Sequence, residues 1–182
     1  MEFIASDLSG VFLIKPVVHK DHRGFFVESY SERVFENNGI KCRFIQDNHS
    51  MSVDAGVLRG LHFQKPPHAQ TKLIRVTKGS ILDVVVDMRK SSPTFKKWRS
   101  FELTDSNFHM LYVPAGFAHG FCTLVPNTEV QYKVDCFYAP ESDSGIRWND
   151  PELAIEWPAN NPVLSAKDEK LPLISDVESP FA

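Results

Sequence analysis

Apolar and polar positions alternate with a period of two along much of the chain up to Tyr138, the spacing of side chains on the two faces of a strand. Val11–Ile14 opens one apolar run, stopped by Pro16. Gly24–Ser29, half apolar and aromatic, predicts a second strand. Cys42–Asp47, Val57–Gln64 and Thr71–Thr77 predict three more, the last ended by the turn signal Lys78-Gly79. Ile81–Asp87 is β-branched and almost continuously apolar, as in a strand buried on both faces. Trp98–Leu103, Met110–Val113, Gly120–Val125 and Val130–Tyr138 complete the set. Glu32–Asn38 reads as a short helix, stopped at Asn38-Gly39.

Short strands at close spacing with few helical windows predict an all-β fold, an antiparallel barrel or sandwich. From Ala139 the alternation fades, and prolines recur at Pro140, Pro151, Pro158, Pro162, Pro172 and Pro180. That segment is expected to wrap the barrel as loops and short helices near the C-terminus. No repeat or long linker divides the 182 residues, a length that suits one domain, 1–182, with a real core.

Charge and cysteines narrow the function. The formal net charge is -3, with no Lys/Arg stripe, which argues against a nucleic-acid partner. Cys42, Cys122 and Cys136 are odd in number and form no C-x-x-C pair, so neither a disulfide framework nor a zinc knuckle is expected. Cys122 and Cys136 lie in apolar runs and are expected to be small buried hydrophobes. No apolar run approaches the ~20 residues of a membrane span. Met1–Gly10 has no basic leader, so a soluble cytoplasmic protein is expected.

Parity then picks out candidate chemistry. In Val130–Tyr138 the positions Val130, Tyr132, Val134, Cys136 and Tyr138 form an apolar face, which puts the Tyr132 hydroxyl inside the barrel, where it needs a partner. Lys72 shares a face with Ile74 and Val76, and an inward lysine is unusual enough to suggest function. The segments Gly60-Leu61-His62-Phe63-Gln64 and Pro114-x-Gly116-x-x-His119 resemble the cupin superfamily of jelly-roll barrels. In metal cupins the first segment supplies two histidines and a carboxylate. Here Gln64 replaces the second histidine and no carboxylate follows at the usual short distance, with Gln70 the nearest polar candidate. A neutral amide is a poor ligand, so no metal is expected. His62, Lys72, His119 and Tyr132 on apolar walls suit proton transfer beside a ketone. Histidine is a natural base near neutral pH, tyrosine a natural acid, and lysine a partner for an enolate oxygen.

The segments Asp21-His22-Arg23-Gly24-Phe25-Phe26, Gln46-Asp47-Asn48-His49-Ser50, Arg59–Gln64, Gln70-Thr71-Lys72-Leu73, Ser92-Pro93-Thr94-Phe95, Pro114–Phe121, Tyr132-Lys133, Trp148-Asn149-Asp150 and Leu164–Asp168 resemble, in that order, the dTDP-4-dehydrorhamnose 3,5-epimerase family. The resemblance covers nearly the whole chain. It implies a cupin-type jelly roll that epimerises a dTDP-4-keto-6-deoxy sugar without a cofactor, in dTDP-L-rhamnose synthesis. His62 would be the general base paired with Asp168, Tyr132 the general acid, and Lys72 the enolate partner. Arg59 and Arg23 would hold the diphosphate with His119 nearby. Gln46, Asn48, Glu28, Phe26 and Tyr138 would line the rest of the site. Family members are homodimers that exchange an N-terminal strand, so Arg23, Phe26 and Glu28 would reach the partner's site. Two positions depart from the pattern. His19 stands where an aromatic residue usually touches the base, and Lys96 stands where a glycine usually follows Ser-Pro-Thr-Phe.

Each candidate also has a plainer reading. His62 and Tyr132 would serve as satisfied core side chains, and Lys72 as a lysine snorkelling to the rim. Asp168 fits a helix start in Ser165-x-x-Asp168. Arg23 and Arg59 fit surface ion pairs, Phe26 and Tyr138 plain aromatic packing, and His119 the relic of a metal ligand. At the level of activity the rivals are a single-carbon (C3 or C5) epimerase, a metal-dependent cupin oxygenase or isomerase, and a non-catalytic sugar-nucleotide binding module.

Overall fold

The computed structural model covers residues 1–182. Thirteen strands run in order: β1 (Glu2–Ala5), β2 (Phe12–Lys15), β3 (Val18–Asp21), β4 (Gly24–Val27), β5 (Gln46–Ser52), β6 (Leu58–Gln64), β7 (Lys72–Lys78), β8 (Ser80–Asp87), β9 (Trp98–Thr104), β10 (Met110–Val113), β11 (Phe117–Thr123), β12 (Thr128–Val134) and β13 (Asp143–Gly145). They form a six-stranded sheet in the order β1-β2-β10-β7-β12-β5 and a five-stranded sheet in the order β13-β6-β11-β8-β9, while β3 and β4 make a separate hairpin. Every pairing of named strands is antiparallel. This is the all-β antiparallel architecture that the alternation predicts, in the jelly-roll form that the family resemblance implies.

The hydrophobic pattern explains the layers. Ile74, Val76 and Val130 from the six-stranded sheet meet Ile81, Val85, Phe117 and Phe121 from the five-stranded sheet in the central core. The opposite face of β8, Val84 and Val86, packs with Leu61, Phe63, Ala118 and the tail residues Ile146, Leu153, Ile174 and Phe181. Ile81–Asp87 therefore reads as continuously apolar because the C-terminal tail covers its outer face. Each such aliphatic side chain contributes about 1.5–3 kcal/mol on full burial. A third cluster, Ile14, Phe35, Ile40, Leu73, Met110 and Tyr112, covers the outer face of the six-stranded sheet. Its lid is helix α1 (Glu32–Asn37), whose one buried residue, Phe35, packs edge-on against Phe3 at 5.2 Å and Tyr30 at 5.0 Å between ring centroids. A helix this short is marginal alone, so that packing holds it.

Several elements differ from expectation. Cys42–Ile45 is not a strand: Cys42 and Phe44 pack onto the third cluster as extended chain, and the ladder begins at Gln46. The alternation there records packing against a cluster, not pairing in a sheet. Strand β12 stops at Val134, short of Tyr138, because side chains take over the backbone partners. The Asp135 carboxylate accepts the Thr71 N–H at 2.7 Å, and Gln70 Nε2 donates to the Cys136 carbonyl at 2.7 Å. Cys136 is thus half-buried, whereas Cys122 is fully buried as expected. The tail holds three single 3-10 turns, Pro140–Ser142, Asp168–Lys170 and Ile174–Asp176, and no α-helix. No helix is long and apolar enough to cross a membrane.

The Ser92-Pro93-Thr94-Phe95 segment is organised by one buried carboxylate. Asp87 accepts hydrogen bonds from Arg89 Nε at 2.9 Å, Arg89 Nη2 at 2.8 Å, Ser92 Oγ at 2.6 Å and Thr94 Oγ1 at 2.7 Å. Lys96 N–H donates to the Asp87 carbonyl at 2.8 Å. Lys96 has φ 63, a left-handed conformation that accounts for glycine at this position in the family pattern. Burial would raise the Asp87 carboxyl, but these partners outweigh it and hold it at about 2, against an ordinary 3.8. A lowered folded-state value stabilises the fold above the unfolded value, and that stabilisation is lost as pH falls toward 2. It amounts to about 2 kcal/mol. Urea titrations of the protein and of D87N should therefore differ most near neutrality and converge as pH falls from about 5 to about 2. A gap that stays constant with pH would show that Asp87 contributes packing and not charge.

Candidate active site

Between the two sheets lies a cavity of about 460 Å³, closed on one side by tail residues Val163–Ser165, Lys167 and Asp168. Strand parity aims the side chains into it. On β6, Leu61 and Phe63 face the tail, so His62 faces the cavity. On β11, Ala118 faces the tail, and His119 faces inward between Phe117 and Phe121. His62 and His119 are register partners. On the opposing sheet Lys72, Ile74 and Val76 of β7 point inward with Val130, Tyr132 and Val134 of β12. Tyr132 pairs with Ile74, and Val134 with Lys72, so the phenol and the ammonium are diagonal neighbours on one wall.

Two glycines let β6 and β11 approach closely beside this site. A β-carbon on Gly120 would lie 2.7 Å from the Arg59 carbonyl oxygen, and one on Gly60 would lie 2.5 Å from the Gly120 α-carbon. The ladder shifts register between His119 and Phe121, at the same place.

His62 Nε2 lies 2.5 Å from Asp168 Oδ1. Asp168 is 2 % exposed and comes from the tail, where its N–H donates to Ser165 Oγ at 3.1 Å. The Ser165-x-x-Asp168 turn and the histidine pair therefore coexist. Burial pushes the Asp168 carboxyl up, but the His62 hydrogen bond and charge outweigh it and leave it below the ordinary value. With Nε2 held by the carboxylate, Nδ1 is the ring nitrogen free to take a proton.

On the facing wall, burial raises the Tyr132 phenol above its ordinary value, with Arg59 pulling the other way, so it is protonated at neutral pH. Burial also pushes the Lys72 ammonium down to about 8, against the pull of Asp83 and Asp143. Arg59 donates through Nε to Ser52 Oγ at 3.3 Å and through Nη2 to the Met51 carbonyl at 3.3 Å, which steadies a guanidinium that also lines the cavity.

Gln46, Asn48 and Ser50 pair with Val134, Tyr132 and Val130 and share their face of the sheet. Gln46 Nε2 donates to Asn48 Oδ1 at 2.8 Å. Tyr138 is off the strand and 59 % exposed, yet it stands at the mouth, where its hydroxyl donates to Asp143 Oδ2 at 2.9 Å. The same carboxylate is ion-paired with Lys167. Three site residues, Asp83, Asp143 and Lys167, are absent from the sequence reading. Asp83 accepts from His119 Nε2 at 2.9 Å on both oxygens, and its only sequence signal is a charge inside an otherwise apolar strand.

Arg23, Phe26 and Glu28 are not brought to this chain's cavity. They lie on or just after the β3–β4 hairpin, where Phe26 is 70 % exposed and Arg23 pairs with Asp21 at 2.6 Å. His19 packs against Phe26 at 6.4 Å between centroids and not against His62. Gln64 is fully engaged: its amide donates to the His68 and Phe137 carbonyls at 2.7 and 3.1 Å and accepts the Ala139 N–H at 2.7 Å. Nowhere do three or more His, Cys, Asp or Glu side chains converge with metal-holding geometry.

Comparison with known proteins agrees with this geometry. The family model described as dTDP-4-dehydrorhamnose 3,5-epimerase matches residues 5–176. A dTDP-4-dehydrorhamnose 3,5-epimerase of Shigella flexneri is 49% identical over 169 residues, 92% of this chain and 93% of the relative. A crystal structure of the Bacillus anthracis enzyme of that name, with TDP and PPi bound, superposes with a TM-score of 0.94 at 55% identity, covering 95% of this chain and 99% of the other. A Legionella pneumophila dTDP-6-deoxy-D-glucose-3,5-epimerase in complex with dTDP-4-keto-L-rhamnose superposes with a TM-score of 0.93 at 40% identity, covering 97% and 94%. From its fold, its cavity and these similarities, the chain belongs to the dTDP-4-dehydrorhamnose 3,5-epimerase family.

Proposed function

We propose that this protein inverts C3 and C5 of dTDP-4-dehydro-6-deoxy-D-glucose to give dTDP-4-dehydro-L-rhamnose, by proton removal and return beside the C4 ketone. The observation that carries the reading is the placement of His62 and Tyr132 on opposing sheets of one cavity. Inversion needs a base on one face of the carbon and an acid on the other. The C3 and C5 hydrogens of the gluco-configured ring lie on the same face, so one base wall serves both.

His62 Nδ1 takes the C–H proton, and Asp168 stabilises the imidazolium that forms. The electron pair of the broken C–H bond passes to the C4 oxygen, where Lys72 stabilises the enolate. Tyr132 delivers its phenolic proton to the opposite face of the carbon. Proton exchange with solvent then restores both groups, and the cycle repeats at the second carbon. Arg59, with His119 nearby, is assigned to the diphosphate, as a forked donor set suits. Gln46, Asn48 and Tyr138 are assigned to the rest of the nucleotide-sugar site.

The exposed hairpin supports a homodimer in which Arg23, Phe26 and Glu28 complete the site of a second copy. Its aromatics Phe25 and Phe26 stay 59 % and 70 % exposed even with Phe108 and His19 packed beside them. Residues 1–182 are read as one domain. Incubation with dTDP-4-keto-6-deoxyglucose in D₂O, followed by NMR, tests the proposal. Deuterium at both C3 and C5 with an L-configured product is expected. Deuterium at one carbon only would replace it with a single-carbon epimerase, and binding without exchange would reduce the protein to a binding module.

A further inference from the structure

The epimerisation uses the His62–Asp168 pair and leaves the carboxylate of a second buried pair, His119–Asp83, without a task. Asp83 has 0 % exposure and sits on the inward face of β8 between Ile81 and Val85, both central-core residues. Both of its oxygens lie 2.9 Å from His119 Nε2. His119 reaches the cavity wall, and Asp83 lies behind it, away from any substrate. A carboxylate in such a place loses its hydration, and an apolar side chain would pack there at lower cost. A residue that only filled space would have no need of charge.

The charge has a recipient. Lys72, on the opposing sheet, is surrounded by ionisable groups from every direction. Lining the same space are Tyr132 on β12, Arg59 and His62 on β6, His119 on β11, Asp143 on β13, Tyr138 at the mouth and Lys167 and Asp168 in the tail, with Asp83 on β8 behind His119. Strand β10 places only Val113 beside it. Of the two carboxylates that favour its charged form, Asp83 is the stronger, while burial and Lys167 oppose it. Asp143 is already ion-paired with Lys167. Asp83 has only His119 as a hydrogen-bond partner, so its field reaches Lys72 with less compensation.

We infer that Asp83 is a positioning residue of the epimerisation: it fixes the His119 ring from behind and sets a negative charge beneath the cavity that keeps Lys72 an ammonium ion. The inference rests on the epimerase reading. An uncharged Lys72 still donates a hydrogen bond but no longer balances an enolate, so the deprotonation step would slow while substrate affinity changes little. Burial pushes the Asp83 carboxyl up, while the His119 contacts and the Lys72 charge pull it down and favour its ionised form.

The test is D83N, compared with the parent protein over roughly pH 6 to 9. In the parent the activity should decline as Lys72 loses its proton near about 8. Removing Asp83 removes a group that raises the lysine value, so the decline should begin about one pH unit lower. At the alkaline end kcat should fall about tenfold further than at the acid end, with KM changed less than about threefold. Titration of the Lys72 Nζ by ¹⁵N NMR, assigned with K72M, should move the same way. Should asparagine prevent folding, Asp83→Ser removes the charge with a smaller side chain and goes through both measurements. A D83N profile parallel to the parent's, lowered equally at every pH, or an unmoved Lys72 titration, would overturn the inference. The NMR titration needs no turnover, so it stands apart from a failure of the epimerase reading, which would show as absent solvent exchange in the parent protein.

Discussion

Replacing His62 by asparagine should lower kcat by about 10²–10⁴-fold and abolish deuterium uptake at both C3 and C5. His62 is the one ring on the base wall whose Nε2 is held by Asp168 while its other nitrogen is free to act. Asparagine keeps a polar side chain of similar reach but has no basic nitrogen, so the fold and dTDP binding should survive. Asp168→Asn should cost less, because it weakens support for the imidazolium without removing the base. The order of the two variants is itself diagnostic. If H62N kept more than about a tenth of the activity, the base would have to be sought in His119, the only other histidine on the cavity wall.

The base and acid were legible for different reasons, and other members of the site were not. Tyr132 and Lys72 stand on strands with clean alternation, Val130–Val134 and Lys72–Val76, and parity alone aims them inward. Tyr138 misled, because the same alternation runs on in the sequence after the ladder has ended. Where β12 stops is decided by Asp135 reaching Thr71 and Gln70 reaching Cys136, contacts made by residues far apart in the chain. Asp83 stayed hidden inside a segment whose apolar character comes from being covered on both faces, which erases the alternation that would have marked it as inward-facing. Asp168 lies 106 residues from His62, so only the resemblance connects them. The fold class was the most legible property, since strand spacing and turn residues are local signals. The hairpin aromatics are the reverse: their exposure is visible only once the chain is folded.

Tyr132→Phe should separate two events that the native enzyme joins. The variant removes one hydroxyl from the wall opposite His62 and leaves Lys72, Arg59 and the base untouched. Deprotonation should continue, because His62 still takes the proton and Lys72 still meets the enolate. Return from the far face should fail, so the proton, or a deuteron from solvent, comes back from the face it left. In D₂O the expected result is recovered substrate that carries deuterium with its original configuration, while formation of the L-configured product falls about 10²–10⁴-fold. Burial raises the Tyr132 phenol above its ordinary value, so in the native protein the acid is loaded throughout the neutral range and its own titration does not limit the rate there. A variant in which exchange and inversion fell together would make Tyr132 necessary for proton removal as well, and undiminished inversion would assign the acid to another donor. Exchange with retention would fix the division of labour between the two sheets: the five-stranded sheet takes the proton and the six-stranded sheet returns it.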